Sequence, residues 1–87
     1  MSIQQVKTTS VSLQHVMSRK PFVRGFNDVH SGKPMDYDAY QALNDQWQYE
    51  RGRLFGLIYT GKLKDGQRVR LEAKRAFNLA AREGSIL

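Results

Sequence analysis

The chain contains no cysteine, only two prolines, two histidines and one tryptophan, and no long apolar run. Without cysteine it has no disulfide framework and no thiolate metal site, which removes the usual staples of small secreted domains and points to a reducing compartment. His15 and His30 have neither a carboxylate nor a second histidine at ligand spacing, so no metal and no other cofactor is expected. No segment approaches the roughly 18 apolar residues needed to cross a bilayer, and Met1 to Val16 lacks a continuous apolar core of signal-peptide length. The expected location is the cytoplasm, with no membrane partner. A hydrolytic triad or a carboxylate pair would need a cleft that one small domain can barely form, so no catalytic residue is assigned and no enzyme is expected. Lys62 to Gly66 combines glycine and lysine, but it lacks the preceding strand and the Gly-Lys-Ser/Thr ending of a phosphate-cradling P-loop and reads as a turn.

What the chain does have is positive charge. Its 87 residues carry 14 lysines and arginines against eight acids, a formal net charge of +6 and a pI near 10.0. Such an excess attracts phosphate backbones and releases their counterions, which favours nucleic acid or a ribonucleoprotein as the partner. Residues 1–33 hold five basic groups against one acid, residues 34–63 three against four, and residues 64–87 six against three. Basic ends thus flank a nearly neutral middle, as expected if the centre is structural and the ends meet something anionic. This length makes one domain, and folding buries only about 60–65% of the surface of the unfolded chain.

The pattern predicts an all-α domain of about three helices, residues 19–87, preceded by a flexible N-terminal arm, residues 1–18. The arm is rich in Ser, Thr and Gln, and its apolar residues are irregularly spaced. Pro21 suits a helix first turn, Phe22, Val23, Phe26 and Val29 follow at helical spacing, and Gly32 and Pro34 end the helix. A long central helix is predicted from about Asp38 to Tyr59, with Asp36 or Asp38 as its cap and a stripe of Tyr40, Leu43, Trp47, Leu54, Phe55 and Ile58. Gly52 and Gly56 lie inside it, each costing about 1 kcal/mol relative to alanine, which a closely crossing neighbour helix, in the same chain or another, would offset. A last helix is expected from Asp65 or Gly66 to about Arg82. Val69, Ala73, Ala76, Phe77 and Ala80 form its buried stripe, and Arg68, Arg75 and Arg82 recur every seven residues beside it.

Trp47, Tyr49 and Phe55 have the chemistry to stack on unpaired bases, with Arg51 and Arg53 beside them to hold phosphates. Trp47 and Phe55 lie on the apolar stripe and are read as core, which leaves Tyr49, Arg51 and Arg53 as the exposed candidates. A helix-turn-helix reading would place Arg68, Arg70 and Lys74 at the start of a recognition helix.

The series Arg24-Gly25-Phe26, Val29-His30-Ser31-Gly32-Lys33, Met35-Asp36-Tyr37 and Trp47 resembles the ribosome modulation factor family. The resemblance spans roughly Phe22 to Gly56, and residues 64–87 have no counterpart in that family. It implies two helices joined by an extended link, binding to the bacterial ribosome, and a functional part for Arg24, Gly25, Phe26, Gly32, Lys33, Tyr37, Trp47, Gly52 and Arg53. The chain is also similar to small basic bacteriophage proteins of this kind, which places it in a bacterial host cell. Three readings follow. The first is a non-enzymatic protein that binds RNA or the ribosome through Arg19, Lys20, Arg24, Lys33, Tyr37, Tyr49, Arg51 and Arg53, with Arg68, Arg75 and Arg82 added by the last helix. The second is a phage inhibitor of an acidic host protein or defence complex, and the third is a helix-turn-helix DNA binder.

Overall fold

The computed structural model describes residues 10–86, so the first nine residues of the expected arm lie outside it. The fold is all-α, with α1 at Ser10–Met17, α2 at Lys20–His30, α3 at Leu43–Gly56 and α4 at Leu71–Arg82. None of these helices is long and apolar enough to cross a membrane.

α2 forms as its sequence predicts. Pro21 occupies the first turn, where its missing N–H has no intrahelical partner to lose. Beyond the last turn Gly32 adopts φ 75°, the left-handed conformation that glycine takes without steric cost. Phe22, Val23 and Phe26 enter the core.

α2 and α3 meet backbone to backbone. A Cβ on Gly25 would stand 2.0 Å from the carbonyl oxygen of Tyr49, and one on Gly52 would stand 2.0 Å from that of Phe22. The contact is reciprocal, since each glycine receives the carbonyl that lies three residues before the other. A Cβ on Gly56 would approach the Phe26 carbonyl oxygen at 3.0 Å. The crossing that offsets the helix-breaking cost of Gly52 and Gly56 is therefore made within one chain. It brings Phe22, Phe26 and Phe55 together, with ring centroids 5.7 Å apart for Phe26–Phe55 and 6.0 Å for Phe22–Phe55. Phe77 of α4 meets Phe55 edge-on at 5.6 Å, and Tyr59 stacks on Phe55 at 5.1 Å. His30 Nε2 lies 3.0 Å from the Gly56 carbonyl and 2.9 Å from that of Tyr59. Both partners are acceptors, so Nε2 carries the proton and His30 caps the end of α3.

The structure corrects four expectations. The described part of the arm is helix α1, whose Leu13 and Met17 are buried in the core. Two core positions one turn apart are too few for a periodic signal to be read. α3 spans Leu43–Gly56 and starts later than Asp38, with Ala42 at the N-cap and no side-chain cap. Asp36 instead accepts the Asp38 N–H, while Gln46 accepts the Tyr40 N–H and donates to the Asp36 carbonyl, which keeps 36–40 looped. Of the stripe expected on this helix Phe55 is buried as expected, but the covered face is otherwise a different one. Gln48, Tyr49, Gly52, Phe55 and Gly56 are buried, whereas Leu43 is 88% exposed and Trp47 47%. Finally, α4 begins at Leu71 because α1 holds the preceding segment extended: the Gln14 side chain donates to the Gln67 carbonyl and accepts the Val69 N–H. The buried stripe of α4 and its glycine stop, Gly84 at φ 80°, are as expected.

Gly52→Ala should push the two backbones apart and lower stability by about 1–3 kcal/mol or more, as overpacking does. The same change at Gly32, where the added methyl meets no atom within 4 Å, should cost only the strain of its positive φ. Urea denaturation of the two variants measures the difference.

Candidate polyanion-binding surface

Not every arginine is equally available. Arg19 donates through Nε to Gln48 at 2.9 Å and pairs with Asp45 at 3.5 Å, which ties the start of α2 to α3. Arg24 lies 3.6 Å from Asp28 and 3.4 Å from Asp36, with its guanidinium over the rings of Tyr40 and Tyr49. Arg53 donates to the Lys33 carbonyl at 3.0 Å. These three pin helices and the 33–42 loop to one another. The Arg51 guanidinium covers the Trp47 ring at 4.4 Å from its centroid.

Tyr49 is fully buried, which corrects its reading as an exposed contact. Its hydroxyl donates to the buried carboxylate of Asp28 at 3.1 Å and accepts the Asp36 N–H at 3.2 Å. On this helix the exposed aromatic is Trp47. Lys20, Lys33 and Tyr37 are exposed as expected.

The cations left without carboxylate partners gather at the other end of the chain. From Lys62 to Arg82 the sequence has seven basic side chains and two acidic ones. Among the described residues none of these seven takes part in an ion pair. Lys62, Lys64, Arg68 and Arg70 surround a depression of about 580 Å³ formed by the segment from Tyr59 to Glu72. Its floor is made by Tyr59 and the buried side chains of Leu63 and Val69. Gly66 turns with φ 75° and donates its N–H to the Ser18 carbonyl at 2.8 Å, and the Gln14 contacts hold 67–69 straight. The loop is thus fixed to α1 and presents its charges from a shaped backbone. Arg75 and Arg82 continue the positive surface along the outward face of α4, opposite Ala73 and Ala80. Arg75 and Arg82 lie on one side of α4, as their spacing predicts, whereas Arg68 lies before the helix and lines the depression instead, because the segment expected to open the helix is extended. Lys62 and Lys64 were missed because their segment read only as a turn; the density of positive charge from 62 to 75 was the signal available.

The connection between α3 and α4 runs from Leu57 to Arg70, far longer than the turn of a helix-turn-helix, typically about three or four residues. Among the described residues no three metal-ligating side chains come together. Comparison with protein-family models, curated proteins and solved structures finds no match for this chain.

Burial raises the pKa of the Tyr59 phenol above its ordinary 10.0, and the hydrogen bond to Glu72 and the charge of that carboxylate raise it further. The folded chain therefore holds this proton more tightly than the unfolded one. The resulting contribution to stability is complete below pH 10.0 and is lost as the pH rises through the folded-state value. Glu72→Gln should lower the Tyr59 titration midpoint, read from tyrosinate absorbance against pH.

Proposed function

We propose that this chain is a non-enzymatic binding protein that docks on RNA, most naturally the RNA of a ribosome. It acts by occluding a site or holding an assembly inactive. The observation that carries this reading is the ring of Lys62, Lys64, Arg68 and Arg70 around one depression, continued by Arg75 and Arg82 along α4. Unpaired surface cations on a rigid loop are suited to phosphate oxygens: they need not break internal ion pairs on binding, and each phosphate they neutralise releases counterions. The concave shape with Tyr59 on its floor suits a backbone bent around a helix or a single strand, where shape and phosphate spacing are read before base identity.

The resemblance to the ribosome modulation factor family falls on α2, the following loop and α3. There Arg24 and Arg53 act within the fold, and Gly25 and Gly52 make the helix crossing. On this reading the shared motif builds the scaffold, and the segment that the family lacks supplies most of the contact with RNA.

The tagged chain should sediment with ribosomal particles in a sucrose gradient of bacterial lysate and leave them after nuclease treatment or at high salt. Arg68→Glu with Arg70→Glu should weaken binding to a ribosomal RNA fragment. It should also flatten the slope of log K against log salt by about 0.7 for each lost contact to a single strand. Lys33→Glu, on a separate surface, is the control. An equal loss there would assign binding to net charge, and a salt-insensitive, nuclease-resistant complex would overturn the proposal.

A further inference from the structure

The basin formed by residues 59–72 holds one side chain that phosphate binding does not explain. Of the two acids between Lys62 and Arg82, only Glu72 lines the depression, among Lys62, Lys64, Arg68 and Arg70. Its charge repels the phosphate oxygens that those cations attract, and among the described residues it forms no ion pair with any of them. An acid in the first turn of α4 suits the helix dipole, but that role asks for no particular direction of the carboxylate. Glu72 has one: its Oε2 accepts the Tyr59 hydroxyl at 3.0 Å.

The phenol that sets this direction is itself clamped. Its ring stacks on the fully buried Phe55, with 5.1 Å between centroids and 14° between planes. At its hydroxyl end the Gly61 backbone comes so close that a Cβ there would stand 2.5 Å from Cε2, Cζ and the phenol oxygen. The Glu72 carboxylate is thereby fixed in the lining of the basin, and of its roughly four acceptor sites Tyr59 occupies one.

A ligand that uses both the cations and this carboxylate must be anionic and must also present N–H donors. An unpaired stretch of RNA offers both, phosphates along its backbone and open base edges. Among the four bases guanine alone has two adjacent N–H donors on its Watson–Crick edge, N1–H and the N2 amino group, which match the two oxygens of a carboxylate. Adenine and cytosine set an acceptor nitrogen beside their amino group, and uracil flanks its single N–H with carbonyls, so each turns a lone pair toward an acceptor. At about 580 Å³ the depression has the size of a ligand pocket, roughly 300–1,000 Å³.

Resting on the RNA-binding reading above, we propose that the basin selects an unpaired guanine, whose N1–H and N2–H donate to the Glu72 carboxylate while the surrounding cations hold the adjoining phosphates. Glu72 is the specificity-determining contact, and Tyr59 and Gly61 are positioning residues for it.

Fluorescence anisotropy with labelled short oligouridine strands carrying one central guanosine, inosine or adenosine tests this. The guanosine strand should bind about tenfold or more tighter than the adenosine strand, with inosine, which lacks the N2 amino group, in between. Pairing each strand with its complement should remove the preference. Glu72→Gln should bring the guanosine-to-adenosine ratio close to one while every strand binds as tightly as before or tighter, because a negative charge leaves the basin. A role in folding alone would weaken all strands together and leave the ratio intact. Tyr59→Phe, which keeps the ring on Phe55, should lower the ratio severalfold without weakening the adenosine strand. Guanosine monophosphate as competitor separates two sources of the same chemistry: displacement at the affinity of the strand assigns the basin to the free nucleotide, and displacement about a hundredfold weaker assigns it to RNA. Equal, salt-sensitive binding of all strands, or a guanosine preference that survives Glu72→Gln, would overturn guanine selection and leave RNA binding standing. Failure of every strand to bind would remove both.

Discussion

The contact on which the rest of the molecule depends is the meeting of two backbones, with Gly25 against the Tyr49 carbonyl and Gly52 against that of Phe22. Nothing larger than hydrogen fits at either point. The closeness of the helices is therefore set by steric exclusion and not by the sum of many weak attractions. With the axes this near, Phe22, Phe26 and Phe55 are forced into mutual contact, and α4 adds Phe77 to a cluster already formed. A core of this size has little redundancy, and a single methyl group at the crossing disturbs every layer above it.

The same crossing explains why several arginines that look like ligand contacts serve the fold. It carries the Tyr49 hydroxyl to the α2 side, where Asp28 and the Asp36 N–H engage it. A buried carboxylate needs compensation, and Arg24 provides it while also reaching Asp36 in the loop. Arg53 fastens that loop again at the Lys33 carbonyl. Charge in the first two-thirds of the chain is used largely for internal order, and the charge from Lys62 onward is left for solvent or a partner.

Much of this was legible in the sequence. α2 was readable because proline, glycine and a helical apolar period all agree, and the buried face of α4 was readable from small apolar residues at regular steps. α3 misled because it carries two apolar faces: Leu43, Trp47, Leu54 and Ile58 make a cleaner stripe than Tyr49, Gly52 and Phe55. Periodicity reports that a face is apolar and not what covers it. Glycine held the missing information, because a face containing Gly52 and Gly56 is one that another backbone can approach. α1 was unreadable for a different reason, since its two core residues, Leu13 and Met17, gain meaning only from elements far along the chain. In the candidate site, Arg75 and Arg82 on α4 could be read from spacing, whereas the place of Arg68 and the basin needed the loop's shape.

That shape rests on one side-chain amide. Gln14 offers its N–H to the Gln67 carbonyl and its oxygen to the Val69 N–H, the pair of bonds that a neighbouring β-strand would make, across 53 and 55 positions of sequence. A donor engaged in this way is not free to bond back along a helix, so the first residue of α4 is decided by α1. The length of the last helix, and with it the division of arginines between basin and helix face, is thus a tertiary property: no peptide containing α4 alone has the information to set its own beginning.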